Sequence, residues 1–244
     1  MLDTYIVVDC ETTGLKPKTE KLVEIGAVKI ENGRVTESFE MLINPGKQMD
    51  ERVVELTGIT NEELKKAPAI EEILPSFVTF CKDYPLVGHN LGFDHSFLKK
   101  ACVNLDLPFE KDGVDTLRIS RVCLAELPSK KLGDLCEYYQ IPLKPHRALA
   151  DAEATALLLE KLKEQFAKED ASDKILDLFT PKRLVYQVKK QSKASKQQKE
   201  RILLFAAQKK IVLDFDVEQL TRNEASRQYD LLIARYGRLE MAKR

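Results

Sequence analysis

Two carboxylates follow a short apolar run near the start of the chain. In the segment IVVDCETTGL, one residue separates Asp9 from Glu11, and both come after a run of β-branched side chains. Alternate residues of a strand point to the same side, so these carboxylates are expected to converge on one point. Two like charges at such a short distance repel each other strongly unless a cation lies between them. The pair therefore suggests a divalent-cation site, although two solvated residues at a strand end would give the same pattern.

Two later segments contain further residues suited to the same chemistry. The segment GHNLGFDHSFL places Asn90 and Asp94 around a glycine turn, and Asp94 could also serve only as a helix N-cap. The segment HRALADAEAT contains His146 and Asp151, and the helix dipole alone would favour an acid at Asp151. Hydrolysis of a phosphodiester needs oxygen ligands for a hard cation and a base that takes a proton from water. Carboxylates and an imidazole supply these groups.

The order of these motifs resembles that of the DEDDh 3′–5′ exonucleases, in particular the proofreading (epsilon) exonuclease subunits of bacterial DNA polymerase III. D-x-E-T-T-G, N-x-x-F-D and H-x-x-x-x-D follow one another along the chain, and VEIGAVKI, LINPG and ELTGIT agree with the same pattern. The resemblance covers about residues 3–168. It implies an α/β fold of the ribonuclease H-like type, with a mixed five-stranded sheet flanked by helices.

The resemblance also implies a catalytic set. Two divalent cations, Mg²⁺ or Mn²⁺, are expected to bind the four acids Asp9, Glu11, Asp94 and Asp151. The family's general base falls on His146, in the Pro-flanked segment PLKPHRAL. An imidazole, which ordinarily titrates near pH 6.5, can accept a proton from water at about neutral pH. No acid of the set is missing, which indicates an active enzyme.

Substrate contacts are the third implication of the resemblance. The residues expected to touch the terminal nucleotides are Thr12, Thr13, Gly14, Leu15, Asn90 and Phe97. His89 and His95 flank the second motif, but neither is expected to be a metal ligand, because His89 follows an apolar strand and His95 points away from Asp94 on a helix.

The elements that must position these residues can be predicted from sequence patterns. Residues 5–9, LVEIGAVKI and RVTESFEMLI are typical of strands, and Asn32-Gly33 predicts a hairpin between the last two. Thr60 and Glu63 predict a capping box. Apolar periodicity predicts helices in IEEILPSFVTFCK, despite Pro75, and in DHSFLKKACVNL and ALADAEATALLLEKLKEQFAKE.

Composition indicates a globular protein in a reducing compartment. The chain has 244 residues, 43% hydrophobic and 32% charged, which predicts either one large domain or one domain with a small appendage. Neither a secretory leader nor a membrane-spanning apolar run is recognised. The five cysteines form no CxxC pair, which favours free thiols, and a cytoplasmic location is therefore expected.

The C-terminal part of the chain is basic. From residue 171 onward there are 17 Lys and Arg against 9 Asp and Glu. We therefore divide the chain into an exonuclease domain, residues 1–170, and a mostly helical C-terminal region, residues 171–244. The excess charge indicates either a polyanionic partner such as nucleic acid or merely solvated helices. Docking to a DNA polymerase or another subunit is the alternative role.

A short segment of this region resembles a partner-binding peptide. Residues 175–179, from Ile175 to Phe179, are similar to the sliding-clamp-binding peptide of bacterial replication proteins, but Ile175 replaces the usual leading Gln. The end of an amphipathic helix explains the same residues and is the favoured interpretation.

The sequence as a whole predicts a metal-dependent 3′–5′ exonuclease that releases nucleoside monophosphates from single-stranded DNA 3′ ends, in proofreading or repair. RNA 3′-end trimming, or cleavage of oligoribonucleotides, is the alternative within this class, because the recognition of the sugar 2′-position cannot be read from the motifs. A replisome or nucleic-acid-binding protein with vestigial catalysis, or a phosphoesterase with another substrate, would belong to a different class. The complete acid set and His146 argue against vestigial catalysis, and the ordered motifs and the basic C-terminal part argue against the phosphoesterase.

Overall fold

The computed structural model describes residues 2–239, which form one central sheet with helices on both sides. The strands are β1 (Thr4–Thr12), β2 (Leu22–Glu31), β3 (Arg34–Leu42), β4 (Leu86–Gly88), β5 (Asp112–Asp115) and β6 (Lys182–Arg183). The helices are α1 (Glu51–Thr57), α2 (Asn61–Lys66), α3 (Ile70–Cys81), α4 (Leu91–Asn104), α5 (Thr116–Cys123), α6 (Leu132–Tyr139), α7 (Ala148–Phe166), α8 (Asp173–Leu176), α9 (Lys196–Lys209) and α10 (Arg222–Tyr236).

The sheet is mixed and its strand order is β3-β2-β1-β4-β5-β6. The first three strands are antiparallel, β4 and β5 are parallel to β1, and β6 is antiparallel to β5. This is the predicted ribonuclease H-like arrangement with one difference. The prediction had five strands, and the sixth is the two-residue β6, which the C-terminal region adds beside β5. A strand of two residues has no alternating pattern by which its sequence could be recognised.

Alternate residues of β1 supply two separate cores. Tyr5 and Val7 pack on one face of the sheet with the buried side of α7. Ile6 and Val8 pack on the other face, with α3 and α4. Because side chains alternate along a strand, the next residues of odd number, Asp9 and Glu11, lie on the α7 face. The apolar half of β1 thus fixes the layer to which its two acids point.

The local signals read from the sequence are confirmed. Asn32 and Gly33 form the hairpin with φ of 51° and 72°, as a type I′ turn requires. Thr60 caps α2 through the predicted box with Glu63. Helix α3 continues through Pro75.

The first part of the C-terminal region belongs to the main core. Leu178 and Phe179 lie in a 3-10 turn after α8 and are buried against the α7 side of the sheet. The residues that resemble a clamp-binding peptide therefore form a helix end whose last two side chains are packed in the main core, while Leu176 is exposed. A second group of helices, α9 and α10, has a small core of its own, in which Ile202 and Phe205 are fully buried.

All five cysteines are free thiols. Among the residues described, none of the helices has the length and apolar character needed to cross a membrane.

Candidate active site

The two acids of β1 lie beside β2 at the end of the sheet. Asp9 is paired with Gly26 and Glu11 with Glu24 in the antiparallel ladder. Neighbouring strands of a sheet place paired residues on the same face. Glu11 and Glu24 therefore face α7 together, and Asp9 has no side chain beside it on β2.

Asp94 reaches the same place from the opposite layer. It lies in the first turn of α4, is 3% exposed, and its Oδ1 accepts a hydrogen bond of 3.0 Å from the Cys10 amide. Strand β4 pairs with β1 only at Ile6 and Val7, so the Cys10 amide extends past the end of that neighbour. A buried amide needs a hydrogen-bond acceptor. The Asp94 carboxylate is the acceptor for the amide of Cys10, the residue between Asp9 and Glu11.

His146 and Asp151 meet at the start of α7. Oδ2 of Asp151 accepts a hydrogen bond of 2.9 Å from the His146 amide, which tethers the loop to the helix. His146 has a φ of 67°, and its side chain is exposed. One possible ligand atom from each of Glu11, His146 and Asp151 lies within 4.8 Å of the others. The structure therefore brings residues from the first and third motifs into a single site.

Glu24 and Arg147 hold this loop and were not singled out in the sequence. Glu24 is 0% exposed, and its Oε1 accepts hydrogen bonds from Arg147 Nη2 at 2.7 Å and Nε at 3.1 Å. Its Oε2 accepts a third, of 2.9 Å, from the Ala148 amide at the first position of α7. A carboxylate from the sheet thus acts as the cap of the helix. The available signal was a carboxylate, Glu24, between the apolar residues that begin the strand segment LVEIGAVKI.

Gly26 allows α7 to approach the sheet at this point. A Cβ added to Gly26 would lie 2.1 Å from the carbonyl carbon of Ala148 and from the Leu149 amide nitrogen. No side chain fits that space. Close contact between the helix backbone and β2 carries Asp151 and His146 to the two acids of β1.

The acids are buried together, and this raises their pKa values. Burial raises the pKa of Asp9 well above its usual range, and repulsion from Asp94, Asp151 and Glu11 adds to the effect. Burial, followed by Asp151 and Glu24, raises the pKa of Glu11 to about 7, although Arg147 opposes the shift. The pKa of Asp94 is also raised, mainly by burial.

These shifts show that the ionised set is unfavourable without a counter-charge. Carboxylate oxygens are the donors that hard divalent cations such as Mg²⁺ and Mn²⁺ prefer. The donor set and its electrostatics therefore fit the metal ions implied by the sequence resemblance. The acids expected to hold them are Asp9, Glu11, Asp94 and Asp151.

The turn after β1, residues 12–15, lies beside the acids and is called here the strand-end turn. Thr12 and Thr13 are buried, and their hydroxyls are used inside the molecule, because Thr12 donates to the Gly14 carbonyl at 2.9 Å and Thr13 donates to Glu20 at 2.6 Å. A Cβ on Gly14 would lie 3.1 Å from Cγ of Glu20. Leu15 is 83% exposed. The turn can therefore offer backbone groups and the Leu15 side chain to a ligand.

The two other predicted substrate contacts differ. Asn90 is exposed and adopts a left-handed φ of 72° just before α4, a conformation that Asn tolerates well. Phe97 is 2% exposed and packs on Phe93 with ring centroids 5.0 Å apart. The expected contact between Phe97 and substrate bases is therefore not retained, because its position on the inner side of α4 places the ring in the core.

The remaining histidines have structural surroundings. The ring of His89 is held between the Thr116 hydroxyl at 2.9 Å and the Lys130 carbonyl at 2.7 Å. His95 is buried and stacks on Phe109. Neither belongs to the group of possible metal ligands found among residues 2–239.

Comparison with known proteins agrees with this geometry. Residues 6–159 match the RNase T model of exonucleases. A PolC-type DNA polymerase III from Caldanaerobacter subterraneus subsp. tengcongensis is 42% identical over 165 residues, which cover 66% of this chain and 12% of that protein. The corresponding protein of Bacillus subtilis is 37% identical over 171 residues, 68% of this chain and 12% of the relative. The chain thus spans only a small part of the length of the curated relatives it matches.

Solved structures show the same fold at lower identity. E. coli exonuclease I, in a zinc-bound complex with single-stranded DNA, has a TM-score of 0.63 and 20% identity over 72% of this chain and 42% of its own. Exonuclease X, in complex with a duplex DNA that has a 5′ overhang, has a TM-score of 0.56 and 21% identity over 72% of this chain and 99% of its own. The chain therefore belongs to the exonuclease family that the RNase T model describes, and the family predicted from the sequence is confirmed.

Proposed function

We propose that the protein is a divalent-cation-dependent 3′–5′ exonuclease that releases nucleoside monophosphates from single-stranded DNA ends. The observation that carries the proposal is the meeting of four sequence-distant acids at one end of the sheet, beside an exposed histidine. That end is open to solvent on the side of the strand-end turn and His146. Leu15, Asn90 and His146 are exposed, which supports access of the end of a strand to the acids.

The cations, Mg²⁺ or Mn²⁺, would be held by Asp9, Glu11, Asp94 and Asp151, because carboxylate oxygens suit both ions. When bound, such ions neutralise charge that develops on the phosphate and on the leaving 3′-oxygen.

The protein's own groups perform the remaining work. His146 would take a proton from water, and its exposed ring, together with the hydrogen bond that fixes its amide to Asp151, supports this role. Asp151 and Glu24 keep the loop of His146 against the sheet. The strand-end turn, with its hydroxyls used internally, is a rigid surface against which a terminal nucleotide can be oriented.

Partners are proposed on the same basis. The curated relatives are PolC-type polymerases, which supports an association with a DNA polymerase in proofreading. Burial of Leu178 and Phe179 does not support binding of a sliding clamp through residues 175–179. The free cysteines support a reducing, cytoplasmic location.

One assay tests the reaction and the choice of sugar. The protein is incubated with 5′-labelled single-stranded DNA and RNA of equal sequence, with Mg²⁺ or with EDTA. We expect a ladder that shortens from the 3′ end only with Mg²⁺, and faster on DNA. The matched control is Asp9→Asn, checked by circular dichroism, which should lose the ladder. An active Asp9→Asn variant, or a ladder that persists in EDTA, would contradict the proposal. Faster shortening of RNA than of DNA would mean that the enzyme trims RNA 3′ ends instead.

A further inference from the structure

The strand-end turn is hydrogen-bonded to Glu20 and Lys21, at the end of the loop between β1 and β2. The Thr13 hydroxyl donates to Oε2 of Glu20 at 2.6 Å and accepts from the Lys21 amide at 3.1 Å. The Thr13 amide in turn donates to the Lys21 carbonyl at 2.9 Å. The position of the turn therefore depends on where residues 20 and 21 are held.

Both of these residues are linked to the C-terminal helical unit, residues 191–239. Lys21 forms an ion pair of 2.8 Å with Glu224 on α10, and the two side chains are 27% and 18% exposed. Burial raises the pKa of Glu224, but Lys21 and the bonds from Thr221 outweigh burial, so that the net pKa is lowered. The pair is therefore a favourable contact between the unit and the exonuclease domain.

A second connection passes through Lys47. Its Nζ lies 2.6 Å from the same Oε2 of Glu20 that binds Thr13. The backbone of Lys47 forms an antiparallel bridge with Phe215, and the neighbouring Asp216 amide donates to the Gly46 carbonyl at 2.6 Å. The C-terminal unit thus fixes the segment that carries Lys47.

The fit between the two parts is close at this point. A Cβ on Gly46, whose φ is 69°, would lie 2.3 Å from Oε1 of Gln219. The backbone contact between Gly46 and Asp216, together with the two ion pairs of Lys21 and Lys47, is expected to make the junction of the two parts rigid.

The charges of Lys21 and Lys47 are used within this contact. Both lysines border the groove between the unit and the exonuclease domain, and each is already neutralised, by Glu224 and by Glu20. Phosphate binding draws on cations that are available to release counterions from the nucleic acid. Lys21 and Lys47 therefore serve better as internal supports than as contacts for a strand, while Lys18 and Arg227 line the same groove.

We propose that the C-terminal helical unit positions the strand-end turn for the terminal nucleotide, with Lys21 and Lys47 as the positioning residues. The inference rests on the proposed function, since it assigns to the turn the contact with the end of the strand. The unit then contributes to substrate affinity without touching the substrate. Loss of its contacts is expected to affect short and long substrates alike.

The kinetic test compares full-length variants on a 5′-labelled dinucleotide and on a long strand. Glu224→Gln and Lys47→Met should each raise KM about tenfold on both substrates, the loss expected when a hydrogen bond to a charged group is removed, with kcat nearly unchanged. Lys47→Arg should recover most of the affinity. The control is Glu200→Gln, which makes the same charge change at an exposed site on α9, where Glu200 faces Lys196 at 3.8 Å. An increase in KM confined to the long strand would show that the unit binds the strand itself and would overturn the inference.

A second measurement does not depend on activity. Hydrogen exchange of peptides that cover residues 12–21 should be faster in Glu224→Gln and Lys47→Met than in the wild type, and unchanged in Glu200→Gln. If exchange is the same in all four proteins, the positioning role is wrong even if the enzyme is active. If the wild-type protein trims no strand while exchange still increases, the proposed function fails and the structural coupling stands.

Discussion

The guanidinium of Arg147 lies 2.7 Å from Oε1 of Glu24, a carboxylate that is fully buried on β2. This ion pair joins the sheet to the residue that follows His146. Because Glu24 also accepts the first amide of α7, one side chain fixes both the loop and the helix on which Asp151 lies. The geometry of the proposed active site therefore depends on a residue outside the proposed catalytic set.

Replacing this carboxylate with an amide is expected to damage catalysis more than folding. Glu24→Gln keeps an acceptor for the helix amide but weakens the hold on Arg147. We expect kcat to fall about 100-fold, the size associated with displacement of a catalytic group by about an ångström. The free energy of unfolding should fall by about 1–3 kcal/mol. Steady-state kinetics and thermal melts measure the two effects.

The matched control for this variant is Glu40→Gln. Glu40 contacts the same guanidinium at 3.4 Å, with both side chains nearly half exposed, and such pairs contribute about 0–1 kcal/mol. Its kcat should remain close to that of the wild type. Equal losses in the two variants would mean that Arg147 is held by its summed charge environment and not by Glu24.

Gly26→Ala tests the close approach of α7 to β2. The new methyl group would overlap the backbone at Ala148, so the helix must shift, at a cost of about 1–3 kcal/mol of stability. Activity should fall at least tenfold because His146 and Asp151 shift with the helix. Gly133→Ala is the control, since a Cβ there projects from α6 into space that is open in the described part of the molecule. It should raise stability by about 1 kcal/mol and leave activity unchanged. Wild-type activity in Gly26→Ala would refute the packing argument.

The metal-free protein should lose stability as the pH rises. In the folded state the pKa of Glu11 is about 7, raised from its ordinary value of 4.5, so the native protein binds more protons than the unfolded chain between these values. Stability therefore falls through this window, and the raised pKa values of Asp9 and Asp94 act in the same direction. In EDTA, the melting temperature should decrease from about pH 5 to about pH 8.

Addition of Mg²⁺ should reverse this trend. The ion stabilises the ionised acids, so the rise in melting temperature that it causes should be larger at about pH 8 than at about pH 5. Glu11→Gln should flatten part of the decrease seen in EDTA. A stabilisation by Mg²⁺ that is the same at both pH values would mean that the acids do not hold the ion.

Truncation after residue 170, where the composition changes, should lower the stability of the protein more than truncation after residue 185. The shorter chain lacks β6 and the two side chains Leu178 and Phe179, each of which contributes about 1.5–3 kcal/mol by burial. It also exposes the edge of β5, which favours aggregation. We expect a soluble, cooperatively melting protein only from the longer chain, as judged by circular dichroism and size-exclusion chromatography. Equal stability of the two chains would show that this segment adds little to the core.

Much of this structure could be predicted from the sequence because the signals for it are local. The type I′ turn at Asn32-Gly33 and the capping box at Thr60 depend on neighbouring residues alone. The five residues proposed to be catalytic were named from the ordered motifs, since each motif combines an acid or histidine with a strand end or a helix start, and their catalytic role stays a prediction.

The parts that could not be predicted depend on contacts between distant segments. The role of Glu24 follows from its pairing with Glu11 on β1 and from its contact with Arg147, which is distant in the sequence. Nothing in the segment LVEIGAVKI determines either of these contacts. Phe97 is placed in the core because the inner side of α4 carries it there. Strand β6 exists only because β5 offers it an edge.

The bond between Asp94 and the Cys10 amide ties one acid to the main chain of the strand that carries two others. Its geometry is therefore independent of which side chain occupies residue 10. A slip of β1 by one residue would turn Asp9 and Glu11 to the opposite layer and withdraw the amide at the same time. Partial opening of the sheet at this strand should thus leave no half-active species, and the fraction of active molecules should follow the fraction in which β1 is correctly paired.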